Sequence, residues 1–208
     1  ASRAFIEAAI AAGADTLLVH HGLFWRGHDG RLTGWLKERV ALLLAHNINL
    51  FAYHLPLDAH PTLGNNAQLG RVLGFTPLDG AGSRFGEQDM GWLGHCAQGS
   101  SQALAGHIEK VLNRPVTHIN RAQAAIKKIA WCTGGAQGYF EAAIAAGADV
   151  FITGEISEPQ AHYAREMNVA YIACGHHASE RYGAPAVAGH VASALGLQHE
   201  FVDVDNPA

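Results

Sequence analysis

The chain contains little charge, few cysteines and no long apolar run. Charged residues make up 15% of its 208 residues, and the net charge is −4. Nucleic-acid-binding proteins usually carry a basic stripe, and this charge balance gives no reason to expect one. No apolar stretch reaches the roughly 20 residues that a membrane-spanning helix needs. The sequence therefore predicts neither a nucleic-acid partner nor a membrane partner.

The few cysteines bear on which disulfide or metal chemistry the chain can have. Cys96, Cys132 and Cys174 are odd in number and widely spaced. This pattern excludes a disulfide framework and a CxxC zinc site. It favours free, buried thiols in a reducing compartment, so we expect a cytoplasmic protein.

Histidine, by contrast, is abundant, with 14 residues. Residues 171–174 form a short apolar run that is typical of a buried strand, and Gly175 ends it. His176 and Glu180 follow, one turn apart if a helix begins here. Such a pair at the carboxyl end of a strand can bind one divalent ion. The alternative is an ordinary hydrogen bond between two surface side chains.

A second histidine pair and an aspartate also follow predicted strands. His20 and His21 come after an apolar strand predicted over residues 16–19. Both can turn toward one metal site, or one of them can cap a helix or bond a main-chain carbonyl. Asp58 lies in a polar loop predicted over residues 55–66. It is either a metal ligand or a turn residue whose side chain bonds its own backbone. Imidazoles with carboxylates suit Zn, Fe, Mn, Co or Ni better than Ca.

Further residues are candidates for supporting roles around such a site. Three histidines are candidates for contacting the metal ligands without binding the metal themselves: His54, His60 and His177. Backbone N–H groups between a predicted strand and a predicted helix are candidates for binding an anion; they belong to Thr133, Gly134 and Gly135. A tight strand–helix turn explains this stretch equally well, and no Walker A motif follows it. Catalytic residues stay unassigned.

Alternating helices and short apolar strands predict an α/β fold. The nonapeptide EAAIAAGAD occurs at residues 7–15 and again at residues 141–149. A similar order of predicted elements follows each copy, which indicates a duplicated α/β unit. We place the first repeat at residues 1–75 and the second at residues 126–208, with a connecting segment at residues 76–125.

Three further expectations concern single segments of the chain. Residues 75–91 are rich in glycine and turn residues and predict an irregular segment. Residues 200–204 predict a final edge strand. The second repeat begins with a strand predicted over residues 126–132, which has no counterpart in the first. We therefore expect the natural protein to extend further at its N-terminus.

Five motifs together resemble the NIF-three-like family, also catalogued as GTP cyclohydrolase 1 type 2 homologues. They are LLVHHGLFW, YHLPLDAHPTLGNNAQLG, WCTGG, FITGE and GHHASERYG. They span nearly the whole chain, which is most similar to the short bacterial members. The resemblance implies a duplicated α/β fold whose mixed sheets are related by a pseudo-two-fold axis, a toroidal homohexamer and two divalent metal ions per subunit. The metal ligands that it implies are His20, His21, Asp58, His176 and Glu180.

The resemblance also implies a metal-dependent hydrolase that opens the purine ring of GTP and releases formate. The substrate would then be a small molecule of the nucleotide type. Nothing in the sequence itself identifies a site for a guanine base. A non-catalytic metal-binding or regulatory protein and a metal-dependent phosphoesterase or other amidohydrolase are the alternatives.

Overall fold

A computed structural model describes residues 1–80, 82–120 and 125–208. The described residues divide into two compact units. Unit 1 holds Ala1–Leu57 and Ala184–Asn206, and unit 2 holds Asp58–Gly183 and Pro207–Ala208. Residue 81 and residues 121–124, which belong to the predicted connecting segment, lie outside the described residues. The repeat boundaries proposed from the sequence stay a prediction.

Unit 1 is built on a parallel strand pair. Its first elements are α1 (Arg3–Ala11), β1 (Thr16–Val19), α2 (Gly34–Ala45) and β2 (Asn49–Ala52). The strands β1 and β2 pair in parallel along their whole length. Its buried core is formed by apolar side chains of α1, α2, β1 and the segment after β1, namely Ile6, Ala9, Leu17, Leu23, Leu36 and Leu43.

From residue 55 onward the chain forms a longer series of elements. In order these are α3 (Leu55–Ala59), α4 (Asn65–Val72), β3 (Thr76–Pro77), β4 (Arg84–Phe85), β5 (Gly91–His95), α5 (Ser101–Leu112), β6 (Thr117–Ile119), β7 (Ile129–Trp131), α6 (Phe140–Ala145), β8 (Val150–Thr153), α7 (Glu158–Met167), β9 (Ala170–Ala173), α8 (His176–Glu180) and α9 (Gly183–Leu195). None of the helices in the described ranges combines the length and the apolar character that a bilayer crossing requires.

Unit 2 contains a mixed sheet with the strand order β3-β5-β7-β8-β9-β6, and β4 also pairs with β5. The central strands β7, β8 and β9 are parallel, whereas β5 and β6 run antiparallel to their neighbours. All residues of β8 and β9 are buried, as expected for central parallel strands. This architecture confirms the predicted α/β fold with mixed sheets.

Each copy of the repeated nonapeptide begins inside a helix, and elements of the same type follow in both stretches. The order α1-β1-α2-β2-α3 corresponds to α6-β8-α7-β9-α8. In both stretches the two strands pair in parallel. The second strand of each is followed closely by a histidine.

Three local predictions were wrong. The stretch predicted to be irregular, residues 75–91, contains β3 and β4, which pair with β5. The loop predicted over residues 55–66 begins with α3, so Asp58 lies on a helical turn. Residues 200–204 form no strand, because no described strand pairs with them.

Candidate metal centre

His20 directly follows β1 and is buried, with 7% of its surface exposed. Its Nδ1 lies 2.8 Å from the carbonyl oxygen of Tyr53, just beyond β2. A carbonyl can only accept a hydrogen bond, so Nδ1 must carry the proton. The neutral ring then has its lone pair on Nε2, the atom that can bind a metal.

His21 and His54 complete a group of imidazoles in unit 1. The ring centroid of His20 lies 4.6 Å from that of His21 and 5.0 Å from that of His54, and those of His21 and His54 are 5.4 Å apart. Each ring offers one nitrogen, and these nitrogens all lie within 4.8 Å of one another. Three neutral imidazoles are a ligand set found in catalytic zinc sites. The structure thus places His54 beside two predicted ligands.

Asp58 in unit 2 is buried, and a buried amide fixes its carboxylate. The Nδ2 of Asn65 donates to Asp58 Oδ1 at 2.8 Å. The amide oxygen of Asn65 in turn accepts a bond from the Gly183 N–H at 2.9 Å. Because both ends of the Asn65 amide are engaged, the Asp58 carboxylate has a defined direction.

Asn66 extends this buried network. Its Nδ2 donates to the carbonyl oxygen of Asp58 at 3.3 Å, and its Oδ1 accepts the N–H of Thr133 at 2.9 Å. Sequence reasoning missed both asparagines. The available signal was a pair of adjacent amides at the start of a helix, which the structure buries completely.

His176 and Glu180 lie on one face of α8, as their spacing predicts. The Nε2 of His176 is 3.0 Å from Glu180 Oε2. Two ligand atoms at about 2.0–2.1 Å from a metal, and about 90–109° apart, are separated by about 2.9–3.4 Å. The observed distance therefore fits two neighbouring ligands of one ion. A carboxylate oxygen of Asp58 also lies within 4.8 Å of one from Glu180.

Glu155 contacts the other nitrogen of the same ring. It follows β8 after one glycine, and its Oε1 lies 2.6 Å from His176 Nδ1. The hydrogen bond to Glu180 has the largest effect on the pKa of His176, and the bond to Glu155 adds to it. Together they raise that pKa to about 9, although burial acts to lower it. Sequence reasoning did not select Glu155 as a site residue. Its signal was a polar residue just after a buried strand, the same signal that selected His20.

The chain matches one protein family over almost its whole length. The model of the family Duf34/NIF3 (NGG1p interacting factor 3) matches residues 1–207. The chain belongs to this family. The family resemblance seen in its five motifs is thereby confirmed.

Two curated members of the Duf34/NIF3 family are named "GTP cyclohydrolase 1 type 2 homolog". The protein from Neisseria meningitidis serogroup A is 52% identical over 209 residues, which cover 100% of this chain and 82% of that protein. The protein from Pseudomonas aeruginosa is 45% identical over 209 residues, with the same coverage of both chains.

Solved structures show the same fold. A structure described as "protein ybgI, unknown function" has a TM-score of 0.93 and 39% identity, covering 100% of this chain and 82% of that one. The protein TTHA1606 from Thermus thermophilus has a TM-score of 0.82 and 29% identity with the same coverage.

In this Duf34/NIF3 chain, backbone N–H groups of the predicted anion-binding stretch, residues 133–135, bond side chains of the chain itself. The N–H of Thr133 donates to Asn66, and the N–H of Gly134 donates to Ser179 Oγ at 3.0 Å. A side chain at Gly134, whose φ is +71°, would overlap the carboxylate of Glu180. Two predicted donors are therefore engaged, and a carboxylate lies beside them. The geometry favours a glycine turn that makes room for Glu180 over an anion site.

Two histidines predicted to support the ligands engage nearby backbone. His60 is exposed, and its Nδ1 accepts the N–H groups of Thr62 and Leu63 at 3.3 and 3.0 Å. The backbone N–H of His177 donates to the carbonyl oxygen of Ala208 at 3.1 Å. The ring of His60 thus stabilises its own turn, and a supporting role for His177 stays a prediction.

The thiol of Cys132 is buried close to these carboxylates. Burial, together with the charge of Asp58, raises its pKa to about 12. In the metal-free chain this thiol therefore keeps its proton at neutral pH. All three cysteines are free, as the sequence predicted. Cys132 and Cys174 are also buried as predicted, whereas Cys96 is only partly buried.

Proposed function

We propose that this Duf34/NIF3 chain binds divalent transition-metal ions and acts as a metal-dependent hydrolase. The ligands in this proposal are His20, His21, Asp58, His176 and Glu180, and His54 joins them. The observation that carries the proposal is two clusters of possible metal ligands on segments that follow strands. One consists of three imidazoles in unit 1, and the other of Asp58, His176 and Glu180 in unit 2. When bound, a divalent ion lowers the pKa of water and polarises an electrophile.

The donor chemistry supports particular metals. Imidazole nitrogens and carboxylate oxygens together suit Zn, Fe, Co, Ni or Mn better than Ca. Two ions per subunit and a homohexamer belong to the proposal as well. Their support is the family resemblance of the sequence.

The chain's own residues would hold and orient this centre. The Asn65 amide directs the Asp58 carboxylate, and the Tyr53 carbonyl fixes the proton of His20 on Nδ1. Glu155 holds Nδ1 of His176, which turns Nε2 toward Glu180. These contacts reduce the reorganisation that binding would otherwise require.

The name of the relatives, GTP cyclohydrolase 1 type 2 homolog, supports GTP as the substrate class. In that reaction water adds to C8 of the purine, the C8–N9 bond breaks to give a formamide, and a second water releases formate. The proposal assigns no residue to guanine recognition.

A panel of nucleotides tests the reaction. The metal-loaded chain is incubated with GTP and other nucleotides, and products are identified by mass spectrometry. Formate released from GTP supports the cyclohydrolase reaction. Phosphate release without formate indicates a phosphoesterase instead. Tight, reversible metal binding without turnover indicates a non-catalytic metal-binding protein.

Two variants make this test specific. Glu180→Gln removes the charge of a proposed ligand with little change in shape, and we expect it to abolish turnover. His46→Gln changes an exposed histidine at the end of α2 and should behave as the unmodified chain. Equal turnover in both variants would contradict the assignment of Glu180.

A further inference from the structure

Glu155 contacts a proposed ligand without being one of the proposed ligands. The two nitrogens of His176 face different carboxylates: Nδ1 lies 2.6 Å from Glu155 Oε1, and Nε2 lies 3.0 Å from Glu180 Oε2. Because the two nitrogens point away from opposite sides of the ring, Glu155 lies behind the ring as seen from Glu180. It is placed to hold the ring and leave Nε2 to a metal.

The sheet brings Glu155 to this position. β8 and β9 are parallel neighbours, with Thr153 opposite Ala173, so their carboxyl ends lie side by side. Gly154 follows β8, and a Cβ there would lie 2.7 Å from the Cα of His176. The N–H of Gly175 donates to the Gly154 carbonyl at 2.9 Å. The missing side chain at Gly154 therefore permits the close approach of the two strand ends.

Glu155 is itself held at both ends. The hydroxyl of Tyr171, which belongs to the buried core, donates to the backbone carbonyl of Glu155 at 2.6 Å. The Nε2 of Gln137 donates to Glu155 Oε2 at 3.2 Å. Its carboxylate is thus built into the site, although 44% of the side chain is exposed.

We propose that Glu155 is a positioning residue that holds Nδ1–H of His176 and directs Nε2 toward the metal. This inference rests on the proposed metal binding. Histidine ligands commonly donate their second N–H to a carboxylate, which fixes the tautomer and the ring direction. Mutation of such a partner typically weakens metal binding by about 10–100-fold.

Zinc affinity of the metal-stripped chain tests the proposal. A competition titration against a chromophoric chelator measures it without any assay of activity. Glu155→Ala should weaken zinc binding by about 10–100-fold. Glu155→Gln keeps an amide oxygen that can accept the Nδ1–H bond, so its affinity should lie between those of Glu155→Ala and the unmodified chain.

Glu158→Ala is the matched control. Glu158 is exposed and lies three residues further along, at the start of α7, so its removal takes away the same charge. Its zinc affinity should equal that of the unmodified chain. An equal loss in Glu158→Ala and Glu155→Ala would overturn the proposal, because general electrostatics would then explain the effect.

A melt of the metal-free variants separates positioning from stability. If Glu155 served only to stabilise the strand end, Glu155→Ala would lower the metal-free melting temperature and leave zinc affinity unchanged, which would overturn the inference. If Glu155→Ala does not fold, Gln137→Ala removes one bond to Glu155 and should weaken zinc binding by a smaller factor. Unchanged affinity in Gln137→Ala and Glu155→Gln would overturn it as well.

Failure of the underlying proposal gives a different result. If the unmodified chain binds no zinc, both the proposed function and this inference are wrong. If the unmodified chain binds zinc and Glu155→Ala binds it equally well, the inference alone is wrong.

Discussion

At the scale of single residues, the buried carboxylate of Asp58 has two roles that substitutions can separate. Asp58→Ala removes a proposed ligand and also leaves the buried Nδ2 of Asn65 without this acceptor, which costs about 1–3 kcal/mol. Asp58→Asn keeps an oxygen for Asn65 and should cost less stability. Both variants should lose metal. Urea unfolding and metal content by mass spectrometry measure the two effects, and full metal content in Asp58→Asn would make Asp58 a turn residue only.

The raised pKa of His176 predicts the pH dependence of metal binding. In the metal-free chain that pKa is about 9, against an ordinary value of 6.5. The contacts of protonated His176 with Glu180 and Glu155 stabilise the folded chain fully below pH 6.5, and this stabilisation is lost as the pH rises through about 9. Metal binding follows the opposite direction, because the ion must displace the proton on Nε2.

Apparent zinc affinity should therefore rise by up to about tenfold per pH unit below pH 9. Chelator-buffered titrations at pH 7 and pH 8 measure this slope. An affinity that is constant between these two values would mean that His176 loses its proton at the ordinary histidine pKa. His46→Gln should show the same slope as the unmodified chain.

Local spacing predicted part of the site, and tertiary contacts decided the rest. One helical turn between His176 and Glu180 can be read from the sequence, and the structure confirms that their side chains meet. Glu155 is 21 residues from His176, and their contact depends on the register of β8 and β9. That register cannot be derived from residue spacing.

At the scale of elements, the contact between Glu155 and His176 depends on how closely the ends of β8 and β9 approach. Gly154→Ala would place a Cβ 2.6 Å from the Gly134 carbonyl oxygen, and backbone atoms cannot move away easily. We expect this variant to be destabilised and to bind metal more weakly. Thermal melts and zinc titrations check both effects.

Gly106→Ala is the matched control for this substitution. Gly106 lies in α5, and a Cβ there meets no heavy atom within 4 Å. Alanine is favoured over glycine inside a helix by roughly 0.5–1 kcal/mol, so Gly106→Ala should raise stability. The two changes are chemically identical, and equal effects on stability would contradict the described packing around Gly154.

The elements themselves were predicted with uneven success, for identifiable reasons. β1 has the bounds that the sequence predicts, because a short apolar run marks it. β5 was missed because it contains two glycines, although the ring of Phe85 fills the space beside Gly91. Residues 200–204 are rich in apolar residues typical of a strand, but they have no strand partner in the described structure.

At the scale of the whole molecule, we predict a homo-oligomer, with six subunits as the proposed number. Several large aromatic side chains are exposed in unit 1, including Phe24, Trp25 and Trp35. Exposed apolar patches of this kind often mark interfaces. Light scattering should give a multiple of the 22.1 kDa chain mass, and a mass of one chain would contradict the prediction.

Metal binding should also stabilise the fold, because the ligands come together only when the chain is folded. An ion at about 100 times its dissociation constant adds about 2.7 kcal/mol. For a chain of this length the melting temperature should rise by about 5–10 °C. The rise should be smaller at pH 5.5 than at pH 8, since protons compete for the imidazoles. A rise of equal size at both values would mean that other groups bind the ion.

The central claim is that the histidines and carboxylates at the strand ends bind divalent metal. Equilibrium dialysis of the metal-stripped chain against buffered zinc at pH 8 tests it most directly, with bound metal counted by mass spectrometry. We predict that the unmodified protein and His46→Gln retain at least one ion per chain. It predicts loss of that metal in His20→Ala and in Glu180→Gln. No bound zinc in the unmodified chain, or equal zinc in all four proteins, would contradict the account.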